Sequence, residues 1–400
     1  MNRQQLGLVG ALGTAQMLGW GSTFYLPAIL ADTMAPDLGV TPVTVFLAFG
    51  FALLVSALVG PLAGRWLDRW GGRQVMMGTS VLFALGLASL GASQGVVSLF
   101  VAWALIGVAM GSGLYDAAFA ALVQVFGKQA RASIVGITLL GGLASTIGWP
   151  LSTWMEAQWG WREACWLWAA LHLLVGLPLN AVLPRHPHVQ PQRTLNSASV
   201  TAPENPPPSP PETPPHPWAG AALALVFAIT WFITTAMATH LPRLMELQGL
   251  STAQALAIGM LIGPAQVAGR LLEFGALNRI SPFTSAKLAC MGHPVGALLL
   301  MGLGAPLATA FTLLHGVGNG ILTIAKGTLP LLVFGTQGYG ARQGWLMAPS
   351  RVAQAVAPVS FGLVIDGWGA QALWFSAALG ALSAGLVWWL QRQPHHPTSN

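Results

Sequence analysis

Charge is what this chain has least of. Only 7% of its 400 residues are Asp, Glu, Lys or Arg, against roughly a quarter in a soluble domain, too few to clothe a water-soluble fold of this size. Cysteine is nearly as scarce. Cys165 and Cys290 lie far apart in apolar stretches with no C-x-x-C or Cys/His ligand spacing, so neither a disulfide framework nor a structural zinc site is expected. His172, His240, His293 and His315 fall on four different apolar segments and share no ligand spacing, which argues against any metal centre. There is no G-x-S-x-G, no Walker Gly-Lys-Ser/Thr, no H-E-x-x-H and no long polar domain of the kind an ATPase needs. The reading is of a protein that is not an enzyme, needs no cofactor and is driven by gradients.

What is present is apolar sequence, 54% of the chain. A bilayer-crossing helix takes about 20 mostly apolar residues, and twelve such runs are bounded by charge, Pro or Gly clusters. They predict spans 1 to 12 at 6–30, 43–66, 74–94, 97–125, 132–155, 164–183, 218–242, 252–275, 284–304, 307–334, 343–366 and 371–391. The first run, after Arg3, is longer than a secretory signal core and more spans follow, so it is expected to remain as span 1. Between spans 6 and 7, the stretch 184–217 holds twelve prolines and almost no large apolar side chains. It reads as a solvated tether, with a P-x-x-P ligand role as the alternative. The predicted organisation is an all-α membrane protein: a six-helix bundle over 1–183, the tether, a second six-helix bundle over 218–391 and a tail at 392–400.

The two bundles repeat each other at an offset of about 210 residues. Span 2 opens at Gly39-Val40-Thr41 and closes at Asp68-Arg69; span 8 opens at Gly249-Leu250-Ser251 and closes at Asn278-Arg279. Span 4 carries Gly107-Val108 and closes at Phe126-Gly127, while span 10 carries Gly316-Val317 and closes at Phe334-Gly335. An even number of spans puts both termini on one side, and twelve basic residues fall there against Arg162 and Arg243 opposite. That excess predicts cytoplasmic termini and tether in a cytoplasmic (inner) membrane. It also accounts for the net charge of +6 without nucleic acid as a partner.

After span 2 the chain reads Gly60-Pro61-Leu62-Ala63-Gly64-Arg65-Trp66-Leu67-Asp68-Arg69-Trp70-Gly71-Gly72-Arg73. This resembles the G-x-x-x-D-R-x-G-x-R signature between the second and third helices of the major facilitator superfamily. The resemblance extends to Gly160-Trp161-Arg162-Glu163 at the start of span 6, to the tether and to the two-times-six repeat. Within that superfamily, Gly19-Trp20-Gly21 in span 1 and an arginine deep in span 8 are similar to bacterial carriers of the monocarboxylate-transporter type. The resemblance implies two pseudo-symmetric bundles that rock about a midplane substrate site lined by spans 1, 4, 7 and 10, in a monomer. In the motif, Gly64 allows close helix approach. Asp68 can accept hydrogen bonds from a helix N-terminus or an arginine across the half-to-half interface, and Gly71 with Gly72 allows a turn that brings back Arg69 and Arg73. The second-half counterpart, Gly275-Ala276-Leu277-Asn278-Arg279, is one residue short and lacks its acid, which predicts a weaker second gate.

Ionisable side chains inside a bilayer are costly and mark function by default. Arg270 stands nine residues before Arg279, about 13 Å inward at about 1.5 Å per residue. A guanidinium there suits bidentate capture of a carboxylate; the alternative is an ion pair with Glu273 on the same helix face. Asp116 on span 4 and Lys326 on span 10 hold nearly equivalent positions, which suggests an interhelical pair, either opened during transport or static. Asp116 and Glu273 are the proton-coupling candidates. Arg351 either lines the cavity or caps carbonyls freed by Pro349. Gln16, Trp20 and Tyr25 on span 1, Trp231 beside Thr230, Thr234 and Thr235 on span 7, and His315 with Asn319 on span 10 complete the candidate substrate site. Pro150, Pro264, Pro349, Pro358 and Gly141-Gly142 are expected kinks.

With three basic residues and one clear acid inside the spans, the expected function is proton-coupled transport of a small organic anion, of the monocarboxylate kind, by alternating access. The partners are then substrate, protons and the lipid bilayer. Proton-driven efflux of amphipathic drugs or metabolites is the rival within transport. A non-transporting ligand sensor is the rival of another class, and the lack of a sizeable output domain argues against it.

Overall fold

The computed structural model describes residues 3–185 and 216–393, without the side chains of Lys128 and Asn278. Most of the tether, with its P-x-x-P stretches, and most of the tail lie outside the described residues. All described regular structure is helical. Span 1 comprises Arg3–Gly21 and Pro27–Asp37; span 2 is Pro42–Trp70 and span 3 is Gly72–Gly91. Span 4 comprises Val96–Gly113 and Tyr115–Phe126, span 5 comprises Arg131–Gly141 and Ala144–Trp159, and span 6 is Trp161–Ala181. The second half repeats the plan: span 7 is Ala219–Leu247, span 8 comprises Thr252–Gly259 and Ile262–Phe274, span 9 is Pro282–Leu303, span 10 is Ala308–Phe334, span 11 is Tyr339–Trp368 and span 12 is Ala372–Gln391.

Local chemistry sets the starts. Thr41 caps span 2 by accepting from the Thr44 N–H, with Pro42 in the first turn. At the equivalent place in the repeat, Ser251 and Gln254 form a capping box on span 8. Large apolar side chains point outward from both halves, Leu58 at 77% and Leu363 at 67% exposure, as lipid-facing positions must.

The helix breaks carry the functional geometry. Span 1 breaks after Gly21, where the Ser22 and Thr23 hydroxyls donate to the Leu18 and Gly19 carbonyls at 2.7 and 2.6 Å. Span 4 breaks at Leu114, whose extended backbone frees the Gly113 carbonyl; the Gln16 amide takes it at 2.7 Å. Gln16 therefore braces two helices through its amide nitrogen. The expected break at Gly141-Gly142 is present, and Pro264 lies in the first turn of Ile262–Phe274, where its missing N–H costs nothing. Pro150, Pro349 and Pro358, expected as kinks, sit inside uninterrupted helices. The Pro358 carbonyl itself bonds to His240 Nε2 of span 7 at 2.7 Å, which ties spans 7 and 11 together there.

The first half packs as one continuous apolar core, which Leu331 and Tyr339 of the second half join across the interface. The second half has two cores. One runs from Ala219 to Leu390 on the side where the described chain begins and ends, here called the terminal side; the other, around Met237, Phe311 and Phe361, lies on the opposite side. The most extensive contact between the halves is span 2 against span 11; beside it, the terminal-side segment Tyr115–Phe126 packs on spans 10 and 11, and Arg131–Gly141 packs on spans 8 and 10. The opposite-side segments Pro27–Asp37 and Ala144–Trp159 pack within their own half. The protein is thus closed on the terminal side.

Candidate functional site

Closure rests on backbone contact. Spans 2 and 11 run antiparallel with Gly60 against Gly344 and Gly64 against Gly340, and a Cβ built on Gly64 would overlap the Gly340 carbonyl. One turn on, the Asp68 carboxylate accepts from the Gly340 and Ala341 N–H groups at 3.0 and 2.8 Å. An anion at the N-terminal end of span 11 uses its orphan donors and its dipole. Gly71 turns with φ 85°, and Gln124 pins that turn by accepting from the Gly72 N–H at 2.9 Å and donating to the Leu67 carbonyl at 2.6 Å. Arg69 is exposed and Arg73 half-buried; Arg73 shares a cavity wall with Arg185.

The second gate is built differently from its degraded motif. Glu273 of span 8 pairs with Arg131 of span 5 at 3.1 Å and accepts a hydrogen bond from the Ser285 hydroxyl. The acid missing at Asn278 is supplied five residues earlier, so an ion pair across the halves replaces the expected weaker contact. Glu273 therefore does not pair with Arg270. Glu273→Gln is expected to loosen this latch and raise the labelling rate of terminal-side cysteine probes in the cavity several-fold, with Arg131→Gln giving the same change and the double variant no more. Additive effects in that cycle would show that the two residues act separately.

Between these latches and the opposite side lies an aromatic and cationic centre. The Trp20 and Trp231 rings stack across the halves at 6.4 Å and 11°, and Tyr115 meets Trp20 at 5.1 Å. The Lys326 ammonium sits 3.5 Å from the Trp231 ring centroid. The break at Leu114 puts Asp116 in the first turn of Tyr115–Phe126, where the helix dipole favours its charge. Asp116 is not paired with Lys326 as its equivalent position suggested; it bonds Arg351 of span 11 at 3.1 Å. The reason is reach: Gln343 and Arg351 approach Asp116 from span 11, while Lys326 turns onto the indole face. Arg351 also donates to Gln354 at 3.3 Å, so it serves an inter-half bridge and not the carbonyls behind Pro349.

Arg270 is 6% exposed, presses against Gly142 of span 5 and lies in electrostatic range of Tyr25, Tyr115 and Lys326. Among the described residues no carboxylate lies within ion-pair distance of Arg270 or Lys326. Arg270 Nε, Lys326 Nζ, Trp20 Nε1 and Trp231 Nε1 are all buried with no hydrogen-bond acceptor among the described residues. Tyr25 packs on Phe24 and Trp149 on the opposite-side approach. Asn319 accepts from Thr234 at 2.9 Å, whereas His315 turns into the second half toward His293. Tyr115, Arg131, Gln124 and Gln343 were not singled out from the sequence; the signal for Tyr115 was its place between Gly113 and Asp116, at a helix break.

Residues 12–325 match the family model described as Major Facilitator Superfamily. The chain belongs to that superfamily. It is a transporter with a multi-pass membrane fold, not an enzyme. It is 23% identical over 377 residues to the gentisate transporter of Corynebacterium glutamicum, covering 90% of this chain and 83% of that one. It is 25% identical over 357 residues to the 3-(3-hydroxy-phenyl)propionate transporter of Escherichia coli, covering 86% and 82%. The structure of the E. coli fucose:proton symporter superposes with a TM-score of 0.72 at 13% identity, over 97% of this transporter and 99% of that chain. Two six-helix bundles in the major facilitator fold are the architecture that the repeat predicts.

Proposed function

We propose that this transporter carries a small carboxylate, with aromatic acids the favoured class, together with a proton, by alternating access. The observation that carries the reading is the excess of unpaired donors at the centre: Arg270 Nε, Lys326 Nζ and two indole N–H groups, all buried and all without an acceptor among the described residues. Buried donors left unpaired are expensive, and one carboxylate would satisfy several of them while neutralising a cation. The faces of Trp20, Tyr115 and Trp231 beside those donors suit an aromatic ring. The two relatives named for gentisate and hydroxyphenylpropionate support the same class.

Coupling then runs through the carboxylates that bridge the halves. Protonation of Asp116 would release Arg351, and protonation of Glu273 would release Arg131, each loosening the terminal side. The excess of basic residues supports cytoplasmic placement of that side in the cytoplasmic membrane, and the working unit is a monomer. Proteoliposomes with a trapped pH dye test the function. Adding gentisate or 3-hydroxyphenylpropionate outside is expected to acidify the lumen well above the rate in protein-free vesicles. Rates equal to protein-free vesicles, with transport of amphipathic cations instead, would replace this reading with efflux.

A further inference from the structure

The two apolar cores of the second half are parted by a polar layer that neither the gates nor the central cations use. His293 of span 9 and His315 of span 10 place their Nδ1 atoms 3.2 Å apart, and His293 Nε2 lies 3.0 Å from the Ser376 hydroxyl of span 12. Both imidazoles are buried, at 5% and 4% exposure. They share a cavity of about 20 Å³ with Thr230, Thr234, Asn319 and Ser383, room for one water.

One tautomer pair satisfies all of these hydrogen bonds at once. In it the single hydroxyl hydrogen of Ser376 goes to the Leu373 carbonyl at 3.0 Å, and the hydroxyl oxygen accepts from His293 Nε2. His293 therefore carries its hydrogen on Nε2 and presents the Nδ1 lone pair to His315. His315 must donate from Nδ1, so its Nε2 holds a lone pair. No protein partner bonds that nitrogen among the described residues, and it is left to the cavity. Thr234 and Asn319, which line the same cavity and bond each other, stand about one and two helical turns from Trp231 and Lys326 respectively.

We propose that His315 Nε2 is a proton-loading site of the second half, reached from the side of Trp231 and Lys326 past Asn319 and Thr234. The proton adds to the Nε2 lone pair and no bond breaks; the resulting imidazolium keeps its Nδ1–H bond to His293. Of the ionisable groups around it, His293 and Cys290 of span 9 share the cavity wall, and no carboxylate does. Lys326 on the same helix, Arg270 and Glu273 on span 8, Arg351 on span 11, Asp116 on span 4 and Arg131 on span 5 lie on elements packed against span 10. The net charge of that group is positive and opposes a further proton. An anion bound at Arg270 and Lys326 cancels part of that field, so anion and proton favour each other reciprocally. This coupling rests on the carboxylate-transport reading; the tautomer assignment does not.

Solid-state 15N NMR of histidine-labelled full-length protein in liposomes separates the two, with His315→Asn and His293→Gln used for assignment. The expected neutral spectrum has His315 protonated at Nδ1 and His293 at Nε2. Lowering the pH is expected to protonate His315 Nε2 before His293. At a fixed pH where the protonated form is scarce, 3-hydroxyphenylpropionate should raise it by at least about fivefold, and not in Arg270→Gln. The reverse tautomers, or a His315 that stays neutral down to pH 5, overturn the proposal. Protonation that ignores the acid in a protein shown to transport it overturns the coupling. Correct tautomers and protonation in a protein that transports no carboxylate would leave the proton site standing and sink the transport reading alone.

Discussion

Arg270→Gln is expected to abolish acid-driven proton flux and to weaken carboxylate binding by roughly 100-fold, while the protein melts within a degree or two of wild type. The first half of that expectation follows from the removal of one partner of a buried charge pair formed only with substrate, typically about 2–5 kcal/mol. The second follows because no carboxylate among the described residues lies within ion-pair distance of Arg270: its removal strands no charge. Asp116→Asn makes the contrast, because it leaves Arg351 buried without its carboxylate, which costs about 3–5 kcal/mol and should lower the melting temperature visibly. Arg270→Lys keeps the charge but loses the planar fork, and should fall between wild type and Gln. Binding is read by quenching of Trp20 and Trp231, with Trp231→Phe identifying that part of the signal. Wild-type flux in Arg270→Gln would remove the arginine from the substrate site and leave Lys326 as the remaining unpaired cation.

The parts of this structure that were legible beforehand are those set by repetitive chemistry. Long apolar runs, the repeat and the Gly64–Arg73 motif follow from what a bilayer and a close helix crossing demand of every residue in them. Arg270, Lys326 and Arg351 could be singled out because buried charge is rare enough in such a chain to be counted, while Trp20 and Trp231 were singled out only through the resemblance, which implies that spans 1 and 7 face the centre. What could not be read was which charge meets which. Asp116 was matched to Lys326 by position in the repeat, yet pairs with Arg351, because rotation of each helix about its axis and the break at Leu114 decide reach. Glu273 finds Arg131 across the halves and not Arg270 on its own helix; a three-residue spacing permits a contact without requiring it. His315 was placed toward the central cavity with its neighbour Asn319; the two do share a face and a cavity wall, but that cavity lies between spans 7, 9, 10 and 12 within the second half, where His293 bonds His315.

Gly64→Val is expected to stop transport outright and to trap the protein open on the terminal side. The argument is steric. Spans 2 and 11 touch backbone to backbone at Gly60–Gly344 and Gly64–Gly340, so any Cβ at Gly64 meets the Gly340 carbonyl and the Ala341 Cα, and no flexible side-chain end is there to give way. The helices must separate, and with them go the two hydrogen bonds from Asp68 to Gly340 and Ala341. Gly64 meets span 11 across the interface and not a helix of its own half, so the variant should fold and insert. Cys165 and Cys290 are buried, which leaves a quiet background for a probe such as Met347→Cys on the interface side of span 11. That probe should be labelled from the terminal side at least about tenfold faster with Gly64→Val than without it, an equilibrium shift of about 1.4 kcal/mol or more. A Cβ at Gly50 on the same span meets no atom within 4 Å, so Gly50→Val serves as the control that should label and transport as wild type. Equal labelling in the two variants would mean that the terminal-side closure does not depend on this crossing, and the gate would then have to be sought in Arg131 and Glu273 alone.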